Sequence, residues 1–134
     1  MAAIHLARVY DDDAGESPRF LVERLWPRGV RRADLEFTAW LKEVAPSSEL
    51  RRWFGHDPQK WTEFRRRYAA ELDCHPEAWK PLVDAAISGD VTLLYSSHDV
   101  EHNNAVALRD YLTAHLEDGD RGAGDPGRPG EGGS

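Results

Sequence analysis

The feature that most constrains this chain is the run Leu21-Val22-Glu23-Arg24-Leu25-Trp26-Pro27-Arg28-Gly29, where an apolar segment ends in a rigid, arginine-bearing turn. Phe20 to Leu25 has the length and apolar content of a strand. Pro27 cannot donate to a ladder, so the strand is expected to end about there. Gly29 then admits backbone angles that other residues avoid. Arg24, Trp26 and Arg28 are thereby held at a strand end, and in sheets flanked by helices ligands gather at the carboxyl ends of strands. A plainer reading also fits: Trp26 in the core, and both arginines paired with surface acids.

Val91 to Tyr95 is the second anchor, a short continuous apolar run bounded by turn residues, as in a central strand. The segment between the two strands reads as helical. Asp34 can cap a helix to about Val44 with Phe37, Trp40, Leu41 and Val44 as its stripe. Ser47 or Ser48 can cap a short helix that buries Leu50, Trp53 and Phe54 and stops at Gly55. Asp57-Pro58 starts a helix with Trp61, Phe64, Tyr68 and Leu72 on one face. Another follows from Pro76, where Pro81 predicts a late start or a kink. The last runs from about Val100 to Leu116, with Ala105, Leu108 and Leu112 inward.

Ile4 to Tyr10 makes a first strand, and Asp11 to Pro18 a loop short for a parallel crossover, so the relative direction of the first two strands stays open. The expected fold is α/β: a small, mainly parallel sheet of about three strands flanked by about five helices, with residues 1–116 as one domain. Residues 117–134 hold seven of the chain's eleven glycines and nothing apolar beyond Ala123, which predicts a disordered Gly/Pro-rich acidic tail. With the two anchor strands parallel and adjacent, residues 26–28 and 95–98 are expected to meet at one mouth of the sheet.

The net charge of −7 hides a basic middle, since residues 19–67 hold 12 Lys+Arg against 7 Asp+Glu. That distribution suits a small anionic partner better than a long polyanion, so nucleic acid is disfavoured. The Arg65-Arg66-Arg67 run reads as a solvated helix face. Nothing approaches the run of about 18 apolar residues that a membrane span needs. Cys74 is the single cysteine and no secretory signal is visible, which fits a reducing cytoplasm.

The helix entered from Tyr95-Ser96-Ser97-His98 offers free backbone N–H groups and a dipole that favour an anion. Arginine forks match carboxylate and phosphate in shape. The candidate pocket is therefore Arg24, Trp26, Arg28, Tyr95, Ser96, Asn103 and Asn104, with Lys42, Ser47, Arg51 and His56 able to complete it from the helical middle. His56 could serve as an acid or base, and Ser47 serves better as a cap than as a nucleophile. His98, Asp99 and His102 are metal-ligand types, but no HExxH or CxxC spacing accompanies them and no metal site is assigned. There is no GxGxxG and no Walker loop, so no cofactor is named.

Arg8-Val9-Tyr10-Asp11, Leu21 to Gly29, Trp40-Leu41-Lys42-Glu43-Val44-Ala45-Pro46-Ser47, Glu49-Leu50-Arg51 with Trp53-Phe54, and Val91 to Ser96 resemble the YeaO-like proteins, a branch of the bacterial domain-of-unknown-function family 488. The resemblance spans roughly residues 5–115. It implies a small cytoplasmic α/β protein and no particular reaction. Distant members of the broader family carry a Cys-His-Arg triplet early in the last helix, where this chain has Asn103-Asn104-Ala105, so a redox or metal role does not carry over. Some members are named as transcriptional regulators, yet no helix-turn-helix with a basic recognition helix is visible here. The reading is a pocket for a phosphate- or carboxylate-bearing small molecule, with an enzymatic role open. The alternatives are a non-catalytic interaction protein or a nucleic-acid-binding regulatory module, which a continuous basic stripe would favour.

Overall fold

The computed structural model describes residues 3–10 and 17–123. Four strands form one sheet: β1 (Ile4–Arg8), β2 (Arg19–Leu21), β3 (Ala39–Trp40) and β4 (Val91–Tyr95), in the order β1-β4-β2-β3. Every pairing is parallel, with Phe20 opposite Leu93 and Leu21 opposite Leu94 between β2 and β4. The first two strands therefore run in the same direction, on either side of β4. Four α-helices follow: α1 (Ser48–Phe54), α2 (Trp61–Asp73), α3 (Pro76–Ser88) and α4 (Asn104–Ala123). The α/β class and the parallel sheet are as expected, with one strand more and one helix fewer.

Strand alternation builds two cores. Leu6, Phe20, Ala39 and Leu93 point to the large core, where they meet Leu50, Phe54, Phe64, Tyr68, Leu82 and Leu108 from the four helices. Their neighbours Ala7, Leu21, Trp40 and Leu94 point to the other face, which Val9, Trp26, Val30, Leu35 and Phe37 cover. Among the described residues no α-helix lies on that second face: the loop between β2 and β3 closes it with aromatic packing, Trp26 lying 5.5 Å from Phe37 and 5.4 Å from Trp40 between ring centroids.

Three expectations are corrected. The segment from Asp34 to Val44 is not a helix: a 3-10 turn at Arg32–Asp34, strand β3 and a 3-10 turn at Lys42–Val44 replace it. Its apolar residues alternate between faces, Phe37 and Trp40 to the second core and Ala39 and Leu41 to the first, so the 3.6-residue stripe was coincidental. Strand β2 ends at Leu21, not near Pro27. Val22 still donates to the Leu94 carbonyl, but the side chains of Glu23 and Arg24 then hold loops across the mouth, and Leu25 turns out to solvent. The last helix starts at Asn104, after a loop capped by Asn103 Oδ1 accepting from Val106 N, and runs past Leu116 to Ala123. The loop residues 11–16 and tail residues 124–134 lie outside the described residues. Pro81 sits on an exposed face inside α3, which begins at Pro76 despite it.

The arginine run on α2 is tied locally. Arg66 and Arg67 both donate to Glu63, and Arg65 to Asp110 of α4. Hydrogen bonds from Arg66 and then Arg67 hold the Glu63 carboxyl down at about 2. Because the folded value lies below the ordinary one, this contribution is complete above the normal carboxylate range and is lost as pH falls through about 2. An NMR titration of the Glu63 side chain should give a midpoint near 2, and Arg66→Gln should move it upward. A midpoint in the ordinary carboxylate range in the unaltered chain would show that the pairing does not persist in solution.

Candidate functional site

The carboxyl ends of β2 and β4 open into a cavity of about 220 Å³. Glu23 and Arg24 reach it from β2, Ser96 and Ser97 from β4, and Asn103 and Asn104 from the start of α4. Arg51, Arg52, Phe54 and His56 line it from α1 and the turn that follows, and Ala45, Pro46 and Phe64 complete the wall. Of the residues picked from sequence, Arg24, Arg51, His56, Ser96, Asn103 and Asn104 are thus brought together.

The expected anion seat at Ser96 is already occupied by the protein's own carboxylate. Ser96 N and Oγ donate to the two oxygens of Glu23 at 3.1 and 2.8 Å. Arg24 is likewise committed: Nε donates to the Pro46 carbonyl at 3.1 Å and Nη2 to the Ala45 carbonyl at 3.0 Å, with Nη1 3.8 Å from Glu43. Asn103 Nδ2 donates to the Asp99 carbonyl, so this residue closes the loop as well as capping α4. Asn104 Nδ2 donates to the Val22 carbonyl at 2.7 Å, which ties α4 to the end of β2 and leaves Oδ1 without a partner among the described residues.

Arg51, Arg52 and His56 are different. None of their side chains makes a hydrogen bond or ion pair among the described residues, and all three are exposed on the cavity rim. Helix α1 ends in a left-handed Gly55 (φ 54°), and His56 follows at φ 58°. A left-handed residue with a β-carbon carries local strain, and here it sets the imidazole beside the cavity.

The other residues picked from sequence lie elsewhere. Trp26 is part of the second core and donates to the Val30 carbonyl, with Arg32 over its ring. Arg28 is exposed, and its carbonyl accepts from Tyr10 Oη at 2.8 Å. Lys42 lies over the Trp40 ring at 4.6 Å. Tyr95 is buried in the large core. Ser47 caps α1 and binds Glu71 through both N and Oγ, in a neighbouring cavity of about 170 Å³ that shares Arg24 as a wall. The turn at 26–28 therefore does not line the mouth with Ser96; Glu23 and Arg24, just after β2, do.

The sequence pointed to neither Glu23 nor Arg52, and to Ser97 only as part of the 95–98 strand end. An acid embedded in the apolar run Leu21 to Leu25 was the available signal for Glu23. Asp99 and His102 form a pair at 3.0 Å in the loop before α4, outside the cavity lining. Hydrogen bonds from the backbone N–H groups of Glu101 and His102 hold the Asp99 carboxyl below its ordinary value.

A parallel sheet with a cavity at its strand ends, edged by arginines and a helix start, defines a small α/β protein. The chain belongs to the DUF488-N3i family, described as the inactive DUF488-N3 subclade, whose model matches residues 3–129. It is similar to the uncharacterised protein YeaO of Escherichia coli, 42% identical over 110 residues, which cover 81% of this chain and 96% of that one. It is also 47% identical over 70 residues to uncharacterised proteins of Mycobacterium bovis (Mb3100c) and Mycobacterium tuberculosis (Rv3073c), covering 52% of this chain and 59% of each. No solved structure matches. No helix among the described residues is long and apolar enough to cross a membrane.

These contacts separate the two arginines of the opening motif. Arg24→Ala should lower unfolding free energy by about 2–4 kcal/mol, since two buried carbonyls lose a charged donor. Arg28→Ala should change it by no more than about 0.5 kcal/mol, as at an ordinary surface position. Urea denaturation of the two variants measures both values, and equal losses would contradict the assignment.

Proposed function

We propose that this protein binds a small molecule bearing a carboxylate or phosphate in the cavity at the strand ends, as a receptor and not as a catalyst. The observation that carries the reading is a set of basic side chains, Arg51, Arg52 and His56, that make no side-chain hydrogen bond or ion pair among the described residues and lie beside the start of α4. Guanidinium forks and helix N–H groups are both suited to oxyanions. A non-catalytic role is supported by the chemistry around them. Ser96 Oγ donates to a carboxylate that also holds Ser96 N, so this carboxylate is a structural anchor and not a free base. Asn103 and Asn104 cap and tie, and neither can act as a nucleophile or redox centre. The family description as an inactive subclade agrees. The lone Cys74 supports a reducing, cytoplasmic setting.

A nucleic-acid interface has less support, because Arg65, Arg66 and Arg67 are already paired with Glu63 and Asp110.

Titration calorimetry with inorganic phosphate tests the reading. Arg52→Gln should weaken binding by about tenfold, the size of one charge-assisted hydrogen bond. His56→Gly should relieve the left-handed strain and raise apo stability by about 0.5–1 kcal/mol while also weakening binding. Affinity unchanged in both variants would place the anion elsewhere and overturn the reading.

A further inference from the structure

We infer that the ligand is a small zwitterion: its carboxylate or phosphate is joined through a short chain to an ammonium group, which the Glu23 carboxylate and the Asn104 side-chain carbonyl receive. The inference rests on the anion reading above and adds the other end of the ligand. Its first ground is an unmatched charge. Glu23 lines the cavity, half-buried, and Ser96 N and Oγ, which hold its two oxygens, are neutral donors. No ion pair joins Glu23 to a cation among the described residues. Arg24, its neighbour in sequence, commits its guanidinium to the Ala45 and Pro46 carbonyls and reaches Glu43 instead. A carboxylate drawn partly out of water without a counter-ion is unfavourable, so this position favours an incoming cation.

The second ground is the acceptors still open at this point. A carboxylate offers about four lone-pair sites, so the two bonds from Ser96 leave Glu23 able to accept more. Asn104 Nδ2 donates to the carbonyl of Val22, the residue before Glu23, which seats this amide at the same strand end and leaves its Oδ1 without a partner among the described residues. An ammonium carries only donors and matches such a set. The third ground is separation. Arg51, Arg52 and His56 line the same cavity from α1 and its turn, yet no ion pair joins any of them to Glu23. Opposite charges thus stand on different walls of one space of about 220 Å³, more than a lone oxyanion fills. Ser97 Oγ accepts from Asp99 N and keeps its hydroxyl proton to give to an acid. A ligand with an acid at one end and an ammonium at the other satisfies both walls. A bare anion leaves Glu23 uncompensated and brings a second negative charge toward it.

Calorimetry and amide NMR on the full chain compare β-alanine with propionate and aminoethyl phosphate with ethyl phosphate, and use ethylamine as the cation alone. At least one zwitterion should bind about tenfold tighter than its amine-free partner, the size of one charge-assisted hydrogen bond. That zwitterion, and not its partner, should shift the amide of Ser96, whose N–H is bonded to Glu23. Arg52→Gln should weaken both members of the pair by the same factor, whereas Glu23→Gln should bring their affinities together. If Glu23→Gln does not fold, the Ser96 shift in the unaltered chain decides where the ammonium lies. Paired ligands of equal affinity, an unmoved Ser96 amide, or a folded Glu23→Gln variant that keeps the preference would overturn the zwitterion while sparing the anion reading. Ethylamine binding as tightly as the zwitterions, or no binding by any probe, would overturn both. Carboxylate and phosphate are distinguished by which zwitterion binds more tightly.

Discussion

The mouth of the sheet depends on a single buried-edge carboxylate. Glu23 follows the end of β2 and holds both the N–H and the hydroxyl of Ser96, the first residue after β4. This bridge begins where the β2–β4 ladder stops, after Val22 N reaches the Leu94 carbonyl. It keeps two parallel strand ends together where no backbone pairing remains. The Glu23 carbonyl also accepts from Trp40 Nε1, so one residue joins β2, β3 and β4. Asn104 adds a further tie by donating to Val22 O, which seats the start of α4 over the same point.

The same chemistry occurs a second time. Ser47 presents its N–H and hydroxyl to the two oxygens of Glu71, and its hydroxyl also caps α1 at Leu50 N. Tyr68, one turn before Glu71, donates to the Val44 carbonyl from a fully buried position, where burial pushes its hydroxyl pKa up. Arg24 then secures Ala45 and Pro46 from the other side. The segment from Val44 to Ser47, which has little regular structure, is thus fixed by α2 behind it and by the end of β2 in front. That fixation decides where α1 begins, and so where Arg51, Arg52 and His56 project.

What was legible in the sequence follows from how locally each element is determined. Val91 to Tyr95 was clear because a strand buried on both faces is apolar throughout. Helices α2 and α3 carry their stripes in the chain itself, with Asp57-Pro58 capping the 3-10 turn at Pro58–Lys60 that leads into α2 at Trp61, and Pro76 opening α3. The stretch from Asp34 to Val44 misled because Phe37, Trp40, Leu41 and Val44 fit a helical stripe while belonging to two faces of a sheet edge. Only the presence of β2 beside it, which backbone pairing supplies and local sequence does not, selects the strand. The site was half legible for a similar reason. Arg51, His56, Asn103 and Asn104 follow from helix ends, which are local, whereas the partnership of Glu23 with Ser96 spans more than seventy positions and has no periodic trace.

An arginine near a strand end is equally suited to a ligand and to a loop, and the structure shows what decides between them. Arg24 lies where two carbonyls, Ala45 and Pro46, would otherwise be buried without donors, and those acceptors take its guanidinium. Arg51 and Arg52 lie at the end of a short helix whose last carbonyls are already handled by Gly55 and Asp57, so their forks are left for solvent or a ligand. Asn103 and Asn104 follow the same rule. An amide at this position caps and ties with neutral dipoles, and it brings no ionisable sulfur or imidazole to the mouth of the cavity. The cavity is thus framed by structural bonds from Glu23, Arg24 and the two asparagines, with Arg51 and Arg52 projecting at its rim.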